Sequence, residues 1–156
     1  MNGSHLHLMF SHVPFSGAAF TMLLIFFALY KKNKELKQTS LWFAVATGIT
    51  ALIAFFSGDG AERVVKTVPG ITESVIETHQ QWALYYLLTL VLIGVIAAAG
   101  LFLSRASAKG LHKFVIVVFI MSFLSLYLMA KTGITGEKVR HTEMDLKGPF
   151  PEDDDD

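Results

Sequence analysis

Four long apolar runs constrain this sequence more than any other feature. Each run is 17 to 22 residues long and contains no Asp, Glu, Lys or Arg. The runs cover residues 13–30, 41–58, 82–103 and 114–130. About 20 residues of helix, rising 1.5 Å per residue, cross the roughly 30 Å hydrocarbon core of a bilayer. The runs are apolar on all sides, unlike the helices of a soluble bundle, so the sequence predicts an all-α integral membrane protein with four spans.

Basic residues mark the two connections expected on the inner side. The segment KKNKELKQTS between the first two runs has four lysines and one glutamate, and SRASAKGLHK between the last two has three basic residues and no acid. Cytoplasmic loops of membrane proteins are enriched in Lys and Arg. The sequence therefore predicts an antiparallel four-helix bundle in the bacterial inner membrane, with both termini on the periplasmic side (N-out, C-out).

The chain divides into one membrane domain, residues 1–148, and an acidic tail, residues 149–156. The tail sequence PFPEDDDD is expected to be solvated and disordered. The first span lacks Lys and Arg on its N-terminal side, so we expect it to remain in the protein and not to be a cleaved export signal. A formal net charge of zero argues against a nucleic-acid surface.

Turn residues predict the ends of several helices. Pro14 suits a first helical turn, so span one is expected to begin near it, with the preceding residues in an extended lead-in. After span two, the glycines of SGDG predict a turn followed by a short helix over 61–67. Thr72 then predicts the cap of a third helix that continues to Leu103, about 45 Å in length.

Aromatic residues are expected to lie at both membrane edges. Trp82, Tyr85 and Tyr86 stand near the start of the third span, and Tyr30 and Trp42 flank the first inner connection. Trp and Tyr are enriched at the membrane–water interface because their rings are apolar and carry one polar atom. We expect the first group at the outer edge and the second at the inner edge.

Five of the six histidines fall on the predicted outer side. They are His5, His7, His12, His79 and His141. An antiparallel bundle brings the start of span one, the base of span three and the exit of span four to one end, and His12, His79 and His141 occupy those places. Histidine is also tolerated at headgroup depth without any ligand, and that structural interpretation stays open.

Haem is the first cofactor that these residues predict. The chain has no cysteine, which excludes disulfides, covalently attached c-type haem, thiolate-held iron–sulfur clusters and blue copper. Imidazole is a ligand for haem iron, so His12 and His79 are candidate axial ligands of b-type haem, with His7 and His141 close by. Arg140 is a candidate partner for a haem propionate. This hypothesis predicts a membrane electron-transfer protein.

Copper or zinc is the second hypothesis, and an accessory or scaffolding subunit without a cofactor is the third. Copper(I) would favour thioether ligands such as Met9 or Met144, whereas zinc would favour imidazole and carboxylate. The candidate metal ligands are His5, His7, His12, His79, His141, Glu62 and Asp59. Each hypothesis expects a membrane or periplasmic protein as partner, or a second copy of the chain. The metalloprotease and nucleotide-binding motifs HExxH and GxxxxGK are absent, and so are charges within the runs.

Several short motifs resemble a family of predicted bacterial four-span membrane proteins of unknown function. The segment HLHLMFSHVP contains a His-x4-His-x-Pro pattern at His7, His12 and Pro14. The similarity continues through SGDGAE after span two, IETHQQ at the start of span three and TGITGEKVRH after span four. It covers nearly the whole chain except the acidic tail.

The resemblance implies a limited set of expectations. Members of that family are suspected of redox or haem-related roles, which points to His12, His79 and His141 as site residues. The family has a proline after the first motif histidine, where this chain has Leu8. That departure puts the geometry of His7 in doubt.

Overall fold

The computed structural model consists of four α-helices. It describes residues 3–66, 72–104 and 107–147, with side chains for all of these except residues 3–9, 59, 61, 64, 108 and 140–147. The helices are α1 (Gly3–Tyr30), α2 (Lys34–Val65), α3 (Glu73–Leu103) and α4 (Ala108–Lys147). No strand occurs in the described residues. The prediction of an all-α protein with four helices is therefore confirmed.

Each helix packs against the next along the chain, and α1 also packs against α4. The short connection between α1 and α2 explains why these two helices are antiparallel neighbours. Lys32 takes a positive φ of 51°, which reverses the chain direction. Asn33 then accepts a hydrogen bond from the backbone N–H of Leu36 on its side-chain oxygen, at 2.9 Å, and so caps the start of α2.

All four helices are long and apolar enough to cross a bilayer, which indicates a multi-pass membrane protein. Their candidate spans are Phe10–Tyr30, Lys34–Gly58, Glu73–Leu103 and Lys109–Val139. Large apolar side chains such as Phe20 and Phe56 point outward and are more than half exposed. The buried positions contain many small or hydroxyl residues, among them Ala44, Thr47 and Ser125. Small residues allow helix backbones to approach closely in lipid.

Glycine allows a close approach between α2 and α3. A Cβ atom on Gly48 would lie 3.0 Å from the carbonyl oxygen of Leu90, and Gly94 faces Gly48 from the other helix. At Gly17 of α1, a Cβ would lie 2.6 Å from Oγ1 of Thr47 in α2. A side chain at position 48 would press against the backbone of α3, and one at position 17 would clash with the side chain of Thr47.

The first helix begins earlier than predicted. It starts at Gly3, so Pro14 lies inside it and the expectations of a start at Pro14 and of an extended lead-in for His5 and His7 are wrong. Proline lacks the N–H that would bind the carbonyl four residues earlier, but membrane helices tolerate this loss because neighbouring groups supply other hydrogen bonds. The carbonyl of Pro14 accepts a hydrogen bond from the hydroxyl of Tyr86 at 3.1 Å.

The second helix ends later than predicted. It continues through Gly58 and Gly60 to Val65, so the predicted glycine turn and separate helix over 61–67 are wrong. A glycine costs a helix only about 1 kcal/mol, which is too little to end one that is packed on its neighbours. The third helix has the predicted bounds. Thr72 holds the N-cap position, but its hydroxyl lies 3.2 Å from Oγ of Ser74 and caps no backbone N–H.

Tyr86 and the end of α4 also differ from the predictions. Tyr86 is 5% exposed and packs against Phe15 at a tilt, with ring centroids 5.5 Å apart, so it belongs to the core and not to an aromatic belt. Tyr30 and Trp42 are exposed, as an edge position requires. The fourth helix runs 17 residues beyond the predicted end of its span at 130, as far as Lys147. The acidic tail lies outside the described residues.

Candidate functional site

The candidate residues gather at one end of the bundle, which we call the His79 end. There α1 and α3 begin and α2 and α4 finish, because consecutive helices run in opposite directions. Two hydrogen bonds set the helices in register at this end. Tyr86 of α3 donates to the carbonyl of Pro14 in α1, and His79 of α3 contacts Thr135 of α4.

His79 is half-buried and lies against α4. Its Nδ1 is 3.2 Å from Oγ1 of Thr135. A Cβ atom placed on Gly136 would lie 3.1 Å from Cε1 of the imidazole and 3.4 Å from Nδ1. The ring therefore occupies the space that any side chain at position 136 would need.

The hydrogen bonds of the Thr135 hydroxyl favour one tautomer of the neutral His79 ring. This hydroxyl lies 3.0 Å from each of the carbonyl oxygens of Lys131 and Thr132, and it donates its only hydrogen to them. With its hydrogen on a carbonyl oxygen, the hydroxyl accepts a hydrogen bond from Nδ1–H of His79. In the neutral imidazole the lone pair then lies on Nε2, the nitrogen free of hydrogen in this tautomer. A hydrogen bond from one ring nitrogen is the usual way in which a metal-binding histidine is oriented.

A carboxylate from the end of α2 lies next to this part of α3. Glu62 forms an ion pair with Lys66, with 2.9 Å between Oε1 and Nζ, and also interacts with the side chain of Gln80. The hydrogen bond from Lys66 is the main reason that the pKa of Glu62 is lowered, and the same bond raises the pKa of Lys66. Lys66 lies 3.7 Å from Glu73 as well. Glu62 is therefore a carboxylate that already has a cationic partner.

The register of α1 and α3 places His7 and His79 at one level. Seven residues separate His79 from Tyr86, and seven separate His7 from Pro14, so each lies about 10 Å along its helix from the hydrogen bond between those helices. Seven residues are nearly two helical turns, so position 7 lies on the same side of α1 as Pro14.

His12 occupies a different side of α1. It lies two residues from Pro14, which is a rotation of about 200°, and its side chain is exposed. Along the helix axis it is about 7 Å deeper in the bundle than His79. The side chain of His12 therefore does not face α3. The pairing of His12 with His79 stays a prediction.

The side chains of His5, His7, Asp59, Arg140 and His141 lie outside the described residues. Among the side chains that are described, no three His, Asp or Glu residues come together in a group that could hold a metal ion. The backbone of His141 lies six residues beyond Thr135, about 9 Å further toward the end of the bundle.

Thr135 and Gly136 are the site residues that sequence reasoning did not single out. They occur in TGITGEKVRH, where only the motif and His141 drew attention. A threonine followed by a glycine is not a site signal by itself. Their role depends on the register between α3 and α4, which the sequence does not state.

Comparison with known proteins found no match to this chain. No protein-family model, no curated protein and no solved structure matches the chain.

Proposed function

We propose that this chain is a small membrane electron-transfer protein that holds b-type haem at the His79 end through histidine ligands. Haem would supply one-electron chemistry, while the protein supplies axial ligands, an apolar surrounding and orientation. Electron transfer requires no bond-making residues. The proposal rests first on the contact between Nδ1 of His79 and the hydroxyl of Thr135, which would orient the ring for coordination of haem iron through Nε2.

His79 is the first proposed ligand, and α1 provides the second. His7 is the better candidate on α1, because it lies at the level of His79 and on the side of the helix that binds Tyr86. His12 is the alternative from the sequence, although its exposed side chain lies on another side of α1. His141 and Arg140, further along α4, remain candidates for contact with a haem propionate.

The charge distribution supports a periplasmic position for the His79 end. The segments expected on that side carry six basic and twelve acidic residues, whereas the two opposite connections carry seven basic residues and one acid. The positive-inside rule then orients the bundle with both termini outside in the bacterial inner membrane. A redox partner would dock from the periplasm or within the membrane.

Absorption spectroscopy of the purified protein tests the haem proposal. We expect protein produced with ample haem to carry near-stoichiometric iron and a haem spectrum. His79→Ala should abolish or shift this spectrum, and His7→Ala should do so more strongly than His12→Ala. His112→Ala, at the opposite end of α4, is the matched control and should leave the spectrum unchanged.

Two results would contradict the proposal. Folded protein that is colourless under these conditions would favour the cofactor-free scaffold, and copper or zinc found by elemental analysis in place of iron would favour the metal site.

The orientation of the bundle in the membrane is tested separately. Because the chain has no cysteine, Lys34→Cys and Ser74→Cys each introduce a unique thiol. Only the second should react with an impermeant reagent added to spheroplasts.

A further inference from the structure

A lysine surrounded by aromatic rings lies at the His79 end, on the surface formed by α3 and α4. Nζ of Lys131 is 5.7 Å from the ring centroid of Trp82 and 5.7 Å from that of Tyr127. The two rings meet edge to face with centroids 6.5 Å apart, and Tyr85 packs against Trp82 in the same way at 6.0 Å. We call these four residues the Lys131 cluster.

The Lys131 cluster lies at the edge of the charge-free runs 82–103 and 114–130. Lys131 is the first charged residue after the uncharged run that ends at Ala130, and Glu77 is the last charged residue before Trp82. The cluster is also one helical turn deeper than the contact between His79 and Thr135. This is the depth of lipid headgroups, where Trp, Tyr and long cationic side chains are found.

The rings orient the ammonium group of Lys131 but do not neutralise its charge. Lys131 makes no ion pair with a carboxylate of the described residues. An ammonium group has three N–H donors, and aromatic faces attract it only through their quadrupole. Tyr85 and Tyr127 remain about half exposed, so the cluster is open to the surrounding bilayer. An anion at headgroup depth would complete the coordination of Lys131.

We propose that the Lys131 cluster binds the phosphate group of an anionic phospholipid, with the lipid chains along α3 and α4. Phosphate is the anion that a bilayer supplies at this depth, and a lysine near an anionic membrane surface contributes about 1 kcal/mol of attraction. A net anionic lipid is favoured over a zwitterionic one. The cation of a zwitterionic headgroup would be repelled by Lys131, which already occupies the ring faces that could bind it.

Quenching of tryptophan fluorescence by brominated lipids tests this proposal. The chain has two tryptophans, so Trp42→Phe leaves Trp82 as the only reporter, inside the cluster. The full chain is reconstituted in phosphatidylcholine vesicles that contain a minor fraction of either brominated phosphatidylglycerol or brominated phosphatidylcholine. We expect phosphatidylglycerol to be preferred about fivefold, as one interfacial lysine allows.

Charge variants identify the source of that preference. Lys131→Gln should remove it, Lys131→Arg should retain it, and Lys113→Gln at the opposite end should leave it unchanged. Trp82→Phe leaves Trp42 as a second control, whose quenching Lys131→Gln should not alter. Equal quenching by the two lipids, or a preference that survives Lys131→Gln, would overturn the proposal. A preference abolished by inorganic phosphate, but not by chloride at equal ionic strength, would assign the cluster to soluble phosphate and overturn the lipid assignment.

Discussion

Replacing Gly136 by alanine tests whether the imidazole of His79 lies against α4. The new methyl group would be 3.1 Å from Cε1 of the ring, which is closer than ordinary van der Waals contact, and 3.4 Å from Nδ1. The ring can yield only by moving away from α4. That movement lengthens the 3.2 Å hydrogen bond from Nδ1 to the hydroxyl of Thr135.

The same helix offers a control that makes the effect measurable. A Cβ on Gly133 would meet nothing within 4 Å, so Gly133→Ala should stabilise the helix by about 0.5–1 kcal/mol. Gly136→Ala has the same gain in helix propensity. It also loses a net hydrogen-bond contribution of about 1 kcal/mol and adds about 1 kcal/mol of crowding. The two variants should therefore differ by about 2 kcal/mol in the free energy of unfolding.

Thermal unfolding in a mild detergent, followed by far-UV circular dichroism, measures this difference. For a chain of this size, about 2 kcal/mol corresponds to roughly 4–8 °C between the two melting temperatures. Both glycine variants should then be measured again in a His79→Ala background. Without the ring, Gly136→Ala should stabilise the protein as much as Gly133→Ala does, because the three atoms nearest to a Cβ at position 136 all belong to His79.

Equal melting temperatures for the two glycine variants would refute this reasoning. The imidazole would then not occupy the space beside position 136, and the tautomer inferred from Thr135 would lose its support. A difference that persists in the His79→Ala background would assign the crowding to a group other than His79.

Two further predictions concern contacts between helices, and a third concerns an ion pair at the end of α2. Gly17→Ala should destabilise the protein by about 1–3 kcal/mol in the same melting assay, because its methyl group would lie 2.6 Å from Oγ1 of Thr47. Tyr86→Phe should cost about 1 kcal/mol, since it removes the hydrogen bond from α3 to α1. Because the pKa of Glu62 is below its ordinary value near 4.5, its ion pair with Lys66 stabilises the fold at neutral pH and is lost as the pH falls through that lowered pKa. Glu62→Gln should flatten the dependence of melting temperature on pH in that acidic range, and an unchanged profile would contradict the pairing.

The sequence predicted the number and approximate positions of the helices but not all of their ends. Charge-free runs of about 20 residues match the thickness of a bilayer, which is why all four candidate spans could be located. Pro14 and Gly58 are local signals, and the energy that each costs a helix can be supplied by packing against neighbouring helices. The start of α1 and the end of α2 were therefore missed, whereas α3 was predicted correctly because it contains no proline and its two glycines lie singly within the charge-free run.

The faces of the helices could not be predicted for a related reason. A helix that is apolar all round has no periodic pattern to show which side is buried. Tyr85 and Tyr86 have similar depth in the membrane, yet the first is exposed and the second is buried. In the same way, the sequence brought His79 to the correct end of the bundle but could not show its contact with Thr135, which depends on the rotation and register of α3 and α4.

The connections between the helices make the two ends of the bundle mechanically unequal. Residues 31–33 and 104–107 link helix pairs at the end opposite His79, whereas only residues 66–72 link a pair at the His79 end. The seam between α1 and α4 has no link at either end. A covalent connection resists separation of the helices that it joins. We therefore expect the helices to separate less easily at the end with two connections than at the His79 end, which has one. A planar molecule that enters between α1 and its neighbours at the His79 end could therefore be admitted by a small splaying of helices, without unfolding any turn.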